Sequence, residues 1–359
     1  MLNILDLIFL SLAFMITVTG SLIIKYENHM PAFIIKAYKY GSFGYKGSGA
    51  SFLQMIEMPK SYYKHFYVFS SLFSAISLVQ MICVYFLHFN VGDYVVMFLR
   101  LLLEVEQPSI CAMAALTAMT LLTIQCWKRL YETYYLQVFA KSSRMNVNHY
   151  LAGIIHYFGC IVAVIGQAPL FTGQHTKKIV WTDAYTTALI VPCILIFLWA
   201  SYEQFKTNVI FANLRKDKKS KKLVTEDHLV PFGRMFKHVS SPHRMCEVIM
   251  YTILLILVPT KTFFCIYMWV ITNQCQTAIQ AHEWYKTTFR SYPKERRSFF
   301  TEFSMFIACY YSQTCNNTQC KIKKRNYSSY VFRNLHFTLS TLSTIEVNRS
   351  ERCHLFVFF

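Results

Sequence analysis

The sequence has few charged residues. Asp, Glu, Lys and Arg make up 15% of its 359 residues, whereas soluble domains carry about 25%. Acidic residues are the scarcest of these, with 18 Asp and Glu against 36 Lys and Arg, while 54% of the residues are hydrophobic. A mean hydropathy of +0.31 is typical of repeated membrane spans rather than of one soluble core. The low content of charged residues and the high mean hydropathy together predict a multi-pass membrane protein.

The sequence also lacks the usual motifs for metals, nucleotides and nucleic acids. Its 12 cysteines form no CxxC pair, and many lie inside apolar segments, where cysteine acts as a small hydrophobic residue, so no metal site is expected. The glycines of residues 41–49 are spaced as GxxGxxGxG, which matches neither phosphate-binding motif and predicts a flexible loop. The basic residues stand between apolar segments, as the positive-inside bias produces, so no nucleic-acid partner is expected despite a net charge of +18.

Apolar segments predict the fold class, an all-α polytopic membrane bundle of about seven transmembrane helices. The first is either a secretory signal or an uncleaved helix, and the uncleaved helix is favoured because Asp6 interrupts its start and no positive charge precedes it. An amphipathic stretch at 91–106 either extends the third helix or lies at the surface, and Pro108 suits a helix start. The seven segments are 4–24, 66–89, 111–126, 149–171, 184–202, 246–259 and 262–281.

Two domains are predicted from the change in composition near residue 302. Residues 1–302 form the membrane-embedded domain. Residues 303–359 are rich in Ser, Thr and Asn, contain no long apolar segment and are expected to be a poorly ordered cytosolic tail. Three N-x-S/T sequons lie in this tail, and a cytosolic location would leave them unmodified.

The polar stretch from Gln204 to Glu247 separates apolar segments and is the strongest candidate for a ligand site. Gln204 and Asn208 are four residues apart and share one helix face, as do His243 and Glu247. Amides, imidazoles and an arginine suit a phosphate-bearing cofactor, although interfacial residues on unrelated faces remain an alternative. The candidate set is Gln204, Asn208, Arg215, His228, His243, Glu247, His282 and Tyr285.

Three other charged positions have simpler interpretations. Lys128 and Arg129 follow an apolar segment among aromatic residues and are interpreted as interfacial anchors. The lysine run at 216–222 is interpreted as a topological anchor, whereas Arg215 follows an apolar stretch and can reach inward. Glu57, just before Pro59, is either solvated at the interface or directed into a cavity.

Five segments resemble the steroid 5α-reductase family, and most of all its polyprenol reductase branch. The resemblance covers roughly residues 30–300, and the ordered motifs NLRK, VSSPH and SYPK are far more specific than hydropathy alone. The segments are IEMPKSYYKHFYVF (56–69), WKRLYETYYLQVF (127–139), QFKTNVIFANLRK (204–216), HLVPFGRMFKHVSSPHRMCE (228–247) and HEWYKTTFRSYPKERR (282–297).

The resemblance implies a seven-helix protein of the endoplasmic reticulum membrane that binds NADPH and reduces a carbon–carbon double bond. Its branch implies a polyprenoid lipid substrate, polyprenol or polyprenal, on the route to dolichol. Glu57 matches the acid of the family's Glu-Leu-Pro motif and is the expected catalytic residue; burial among Leu53, Met55 and Met58 would keep its carboxyl protonated. The expected cofactor-binding residues are Gln204, Asn208, Arg215, His243 and Tyr285.

The chain departs from the family pattern at three places. His243 replaces an Asn of the steroid enzymes, and Cys126 replaces a substrate-contacting Tyr, which disfavours a steroid substrate. The polar tail replaces a short apolar ending. The alternatives are a 3-oxo-5α-steroid 4-dehydrogenase, an isoprenylcysteine-type methyltransferase, and a non-catalytic lipid-binding or transport protein, although the paired broken helices of a transporter are missing from the sequence.

Overall fold

The computed structural model describes residues 2–39, 57–137, 144–172, 179–216 and 228–298, which are mostly helical. The glycine-rich loop, most of the lysine run and the tail at 303–359 lie outside these ranges. Strands β1 (Glu57–Pro59) and β2 (Arg144–Asn146) pair antiparallel. The helices are α1 (Ile4–Tyr26), α2 (Ala32–Tyr38), α3 (Tyr63–Phe86), α4 (Asp93–Leu103), α5 (Ala112–Tyr131), α6 (Val147–Ile165), α7 (Ala184–Asn213), α8 (Pro242–Leu257) and α9 (Lys261–Thr288).

Each of the seven predicted apolar segments contains one long helix, so the helical character of the fold is confirmed for the described ranges. Within those ranges, four helices are long and apolar enough to cross a membrane: α1, α3, α6 and α7. Helix α8 has 16 residues and is about 24 Å long, shorter than a ~30 Å hydrocarbon core. The chain is therefore an integral membrane protein, while the count of about seven spans stays a prediction.

The stretch at 91–106 forms the separate helix α4, which buries one face and exposes the other, so it does not extend the third predicted helix. The prediction that Pro108 starts a helix was wrong, because α5 begins at Ala112. Between α4 and α5, the backbone hydrogen-bonds to another segment of the same chain instead of forming a helical turn. Ser109 N donates to Gln167 O at 3.2 Å.

The first helix starts with a capping box, in which the Asn3 side chain accepts from Asp6 N and the Asp6 side chain accepts from Asn3 N. These bonds satisfy two backbone donors that a helix start leaves open. Asp6 is fully buried and pairs with Lys261 Nζ at 3.1 Å, at the beginning of α9. The acid that interrupts the apolar segment therefore starts α1 and ties it to α9.

The helices pack so that α5, α7 and α8 meet at one end of the bundle. Helix α7 packs along α8, α1 packs along α9, and α3 packs against α5 and α6. Glycine permits one close approach, since a Cβ on Gly159 of α6 would lie 2.4 Å from the Phe9 ring of α1. Helices α5 and α7 end, and α8 begins, near the same end of the bundle, where their polar residues accumulate.

The two-stranded sheet connects the segment before α3 to the start of α6. Glu57 pairs with Asn146 and Pro59 pairs with Arg144. Asn146 also caps α6, because its side-chain oxygen accepts from Asn148 N at 2.8 Å. Three-residue strands carry too little alternation to be recognised in a sequence, so this sheet was not predicted.

Candidate functional site

The polar stretch from Gln204 to Glu247 is not one loop. Residues 204–213 are the last turns of α7, and residues 242–247 are the first turns of α8. Gln204 joins the two helices, since its Nε2 donates to the His243 backbone oxygen at 3.2 Å and to the Glu247 carboxylate. The two helix faces that the four-residue spacings predict therefore do face each other.

Helix α5 supplies the partners of this pair, which sequence reasoning missed. Gln125 Nε2 and Lys128 Nζ donate to Gln204 Oε1 at 2.8 and 2.7 Å. Lys128 also bonds to Ser201 O at 3.0 Å. One turn further along α7, Asn208 Nδ2 donates to Glu132 Oε2 at 2.9 Å.

The interpretation of Lys128 and Arg129 as interfacial anchors was therefore wrong. Their side chains are each 16% exposed and turn into the bundle, where the Glu132 carboxylate, 0% exposed, attracts both. Arg129 Nη1 pairs with the Glu132 carboxylate, and Lys128 Nζ lies 3.9 Å from it. The spacing of Gln125, Lys128 and Glu132 at three and four residues was the available signal, because it places all three on one helix face.

A second group lies where α7 and α9 end. Arg215 Nη2 lies 3.2 Å from His228 Nε2, and the His228 ring packs edge-on against Trp284 with centroids 5.4 Å apart. Tyr285 follows Trp284 and stacks on Tyr292, with centroids 5.5 Å apart and planes 6° apart. The two distant cofactor candidates, Arg215 and Tyr285, are thus brought together by aromatic contacts.

The segment after α9 folds back over the segment before α8. Ser240 N donates to Arg297 O at 2.8 Å, and Arg297 N donates to His238 O at 2.9 Å. Arg296 is 3% exposed and donates to Pro231 O at 3.0 Å. Its guanidinium lies over three aromatic rings, those of Phe232, Phe236 and Tyr292.

Tyr292 is the stacking partner of Tyr285 and contacts His282, whose Nδ1 lies 3.2 Å from the Tyr292 hydroxyl. Burial raises the pKa of Tyr292. The phenol therefore stays neutral at physiological pH and can act as a hydrogen-bond donor.

Glu57 forms an ion pair with a residue outside both groups. Its carboxylate is 3.7 Å from Lys36 Nζ, and both side chains are 16% exposed. In the described part of the chain, no hydrogen bond joins the Glu57 side chain to α5, α7 or α8. Leu53 and Met55, which the sequence places around it, lie outside the described ranges, whereas Met58 is half-buried.

The site contains buried polar atoms without hydrogen-bond partners, and these atoms suit an anionic cofactor. His243 Nδ1 and Arg244 Nε are buried and have no hydrogen-bond partner among the described residues. Such atoms are costly unless a ligand or water satisfies them. Lys60 lies within electrostatic range of Arg215 and Arg244. Converging cations and unpaired donors fit the phosphates of a nucleotide.

The helical bundle defines a membrane protein with a buried polar site, and comparisons with known proteins specify which kind. A family model described as 3-oxo-5-alpha-steroid 4-dehydrogenase matches residues 170–303. A polyprenal reductase of Drosophila melanogaster is 32% identical over 82% of this chain and 92% of its own length. The human polyprenal reductase is 29% identical over 68% of this chain and 77% of its own length.

These similarities assign the chain to a class and then to a family. It is a reductase of the membrane. It belongs to the steroid 5α-reductase family, in the polyprenal reductase branch. The family model ends at residue 303, where the predicted polar tail begins.

Proposed function

We propose that this protein is an NADPH-dependent reductase of the α-isoprene double bond of polyprenal in the endoplasmic reticulum membrane. Its product would lead to dolichol and so to the dolichyl phosphate used in protein N-glycosylation. The observation that carries this proposal is the similarity to polyprenal reductases over nearly the whole membrane domain. The cluster of cations and unpaired donors beside α8 supports a nucleotide cofactor.

The chemistry favours the aldehyde over the alcohol as the immediate substrate. A hydride added to an isolated double bond leaves charge on carbon, which no oxygen can accept. In an α,β-unsaturated aldehyde that charge moves to the carbonyl oxygen, where a hydrogen-bond donor can stabilise it. The apolar helices would accept the isoprenoid tail directly from the bilayer.

The cofactor roles follow from the chemistry of each side chain. NADPH would supply the hydride. Arg215 would pair with a phosphate, and the Tyr285 ring would pack beside it. His243 would form a hydrogen bond to the cofactor through its unpaired Nδ1. Gln204 and Asn208 would hold α5, α7 and α8 in position around the cofactor.

The test uses the purified full chain in detergent or lipid vesicles, with polyprenal and NADPH deuterated at the transferred position. We expect one deuterium in the lipid product, detected by mass spectrometry, and no transfer with NADPH omitted. Reduction of a 3-oxo-4-ene steroid in preference to polyprenal would support the steroid alternative. Methylation of a lipid or peptide from a labelled methyl donor, without hydride transfer, would overturn the reductase proposal, as would binding without turnover.

Glu57 is the proposed acid, and Glu57→Gln tests that role. An amide cannot transfer a proton, so we expect turnover of polyprenal to fall by about 100-fold if Glu57 is the proton donor. The matched control is Glu27→Gln, which breaks the exposed pair with Lys39. Full turnover in the Glu57 variant would remove the acid role and leave the reductase assignment intact.

A further inference from the structure

We propose that the Tyr67 hydroxyl, held in place by Arg129 and Glu132, donates the hydrogen bond that stabilises the aldehyde oxygen during reduction. This inference rests on the proposed function and adds a catalytic residue to it. Tyr67 lies in the first turns of α3 and is 8% exposed. It was not among the residues that the sequence singled out.

The geometry leaves the Tyr67 proton free for a ligand. The hydroxyl oxygen accepts two bonds, from Arg129 Nη2 at 2.8 Å and from Arg129 Nε at 3.2 Å. A phenol has one proton and two lone pairs, so both lone pairs are occupied by the guanidinium. Within the described ranges, no acceptor lies within hydrogen-bond distance of the Tyr67 O–H. A phenol whose oxygen accepts from a cation is a stronger donor than an isolated one.

Glu132 holds the guanidinium in the orientation that this arrangement needs. The carboxylate contacts Arg129 Nη1 and accepts from Asn208 at 2.9 Å, so α5 and α7 fix it from two sides. Removing ions from water is costly, and a buried ion pair is therefore weak evidence for stability alone. Here the Arg129–Glu132 pair positions the phenol of Tyr67, and this positioning is the function of the pair.

The surroundings of Tyr67 suit the reacting end of an isoprenoid aldehyde beside the cofactor residues. The Phe66 ring is 4.6 Å away, centroid to centroid. Glu247, which bonds to Gln204, lies within electrostatic range of Tyr67. Arg129 and Glu132 also connect Tyr67 to Asn208, so Tyr67 lies next to the residues assigned to the cofactor.

Tyr67 suits the oxygen-binding role better than Glu57 does. The described partner of Glu57 is the ammonium of Lys36, and Glu57 can act as the proposed acid only in its protonated form. A neutral phenol can donate without first gaining a proton. The two residues therefore differ in what they can offer to the carbonyl oxygen.

The step balances as follows. NADPH, when bound, would supply the hydride that forms the new C–H bond at the β carbon and would leave as NADP+. The electron pair of the C=C bond would then form a double bond between the α and carbonyl carbons. The carbonyl π pair moves onto the oxygen, where the Tyr67 O–H stabilises it. A proton, which the proposed acid Glu57 would deliver and solvent would replace, then forms the C–H bond at the α carbon and the carbonyl is restored. Each turnover consumes one NADPH and one proton.

The test compares Tyr67→Phe with Tyr157→Phe in the purified full chain. Both variants lose one hydroxyl from a buried ring, and the two ring centroids lie 5.7 Å apart. Of the two hydroxyls, only that of Tyr67 accepts from Arg129 within the described ranges. We expect Tyr67→Phe to lower kcat by about 100-fold, the usual cost of removing one oxyanion donor, with the KM for NADPH unchanged. Tyr157→Phe should keep most of the wild-type kcat.

A second readout does not depend on turnover or on the cofactor. Carbonyl-labelled polyprenal bound without NADPH should show an infrared C=O band at lower frequency in the wild type than in Tyr67→Phe, because a hydrogen bond weakens that band. If Tyr67→Phe does not fold, fluorotyrosine at position 67 keeps the ring and strengthens the donor, so the band should shift further down.

The outcomes separate the two proposals. An active wild type with an equally active Tyr67→Phe variant, or an unshifted C=O band, would overturn the role of Tyr67 and leave the proposed function standing. A wild type that does not reduce polyprenal with NADPH would overturn the proposed function itself. Loss of kcat in Tyr157→Phe with none in Tyr67→Phe would move the role to Tyr157.

Discussion

Replacing Glu132 with leucine is expected to destabilise the protein by about 3–5 kcal/mol, the cost of leaving a buried charge unpaired. The Arg129 guanidinium would lose its counter-ion, and Asn208 would lose its acceptor. The measurement is the unfolding midpoint of the detergent-solubilised chain. The matched control is Glu283→Leu, which breaks the exposed pair with Lys286 and should cost about 0–1 kcal/mol.

A double variant separates the ion pair from the loss of packing. If the stranded guanidinium causes the destabilisation, Arg129→Leu together with Glu132→Leu should be more stable than Glu132→Leu alone, since both charges are then removed. Additive losses would show that the two residues act independently and would contradict the pairing seen here. The double variant should still lack rapid turnover, because Tyr67 loses its donor partner.

Reversing the charge of Arg215 is expected to abolish useful binding of NADPH. An Arg215→Glu variant would place a carboxylate beside a cofactor phosphate, and a like-charge contact costs several kcal/mol. We expect the Kd to rise by about 1,000-fold, which corresponds to about 4 kcal/mol. The measurement is a titration of NADPH fluorescence, with the unfolding midpoint recorded in parallel.

Lys216, the residue after Arg215, provides the control, because Lys216→Glu changes the net charge by the same amount as Arg215→Glu. Lys216 Nζ donates to Leu136 O at 3.2 Å, away from the aromatic group around Tyr285. Lys216→Glu should therefore bind NADPH almost as the wild type does. Equal weakening in both variants would show that the net field of the basic loop, rather than a contact by Arg215, governs cofactor binding.

Part of the site could be predicted from spacing along the chain. The four-residue spacings place Gln204 with Asn208 and His243 with Glu247, and the structure brings these two faces together. The contribution of α5 was missed because its polar residues follow an apolar segment, exactly as membrane anchors do. Hydropathy does not distinguish a lysine that points to the headgroups from one that turns into the bundle.

The sequence singled out Glu57, through its match to a family motif, and did not single out Tyr67. An acid before a proline at a membrane boundary is unusual, whereas one tyrosine among many aromatic residues carries no signal. Only the distances from Tyr67 to Arg129 reveal that its hydroxyl accepts twice and keeps a free proton. That information depends on two helices meeting at a particular angle.

The sequence by itself determined that this is a helical membrane protein, where its long helices lie, and which family it belongs to. Those properties follow from apolar segment length and from ordered motifs, both of which are local in the chain. The tertiary structure alone decided which polar residues are partners. Helical spacing fixes the face of a side chain, but the packing of α5 against α7 and α8 decides which face it meets. Buried amides such as Gln204 and Asn208 find their hydrogen-bond partners on other segments of the chain.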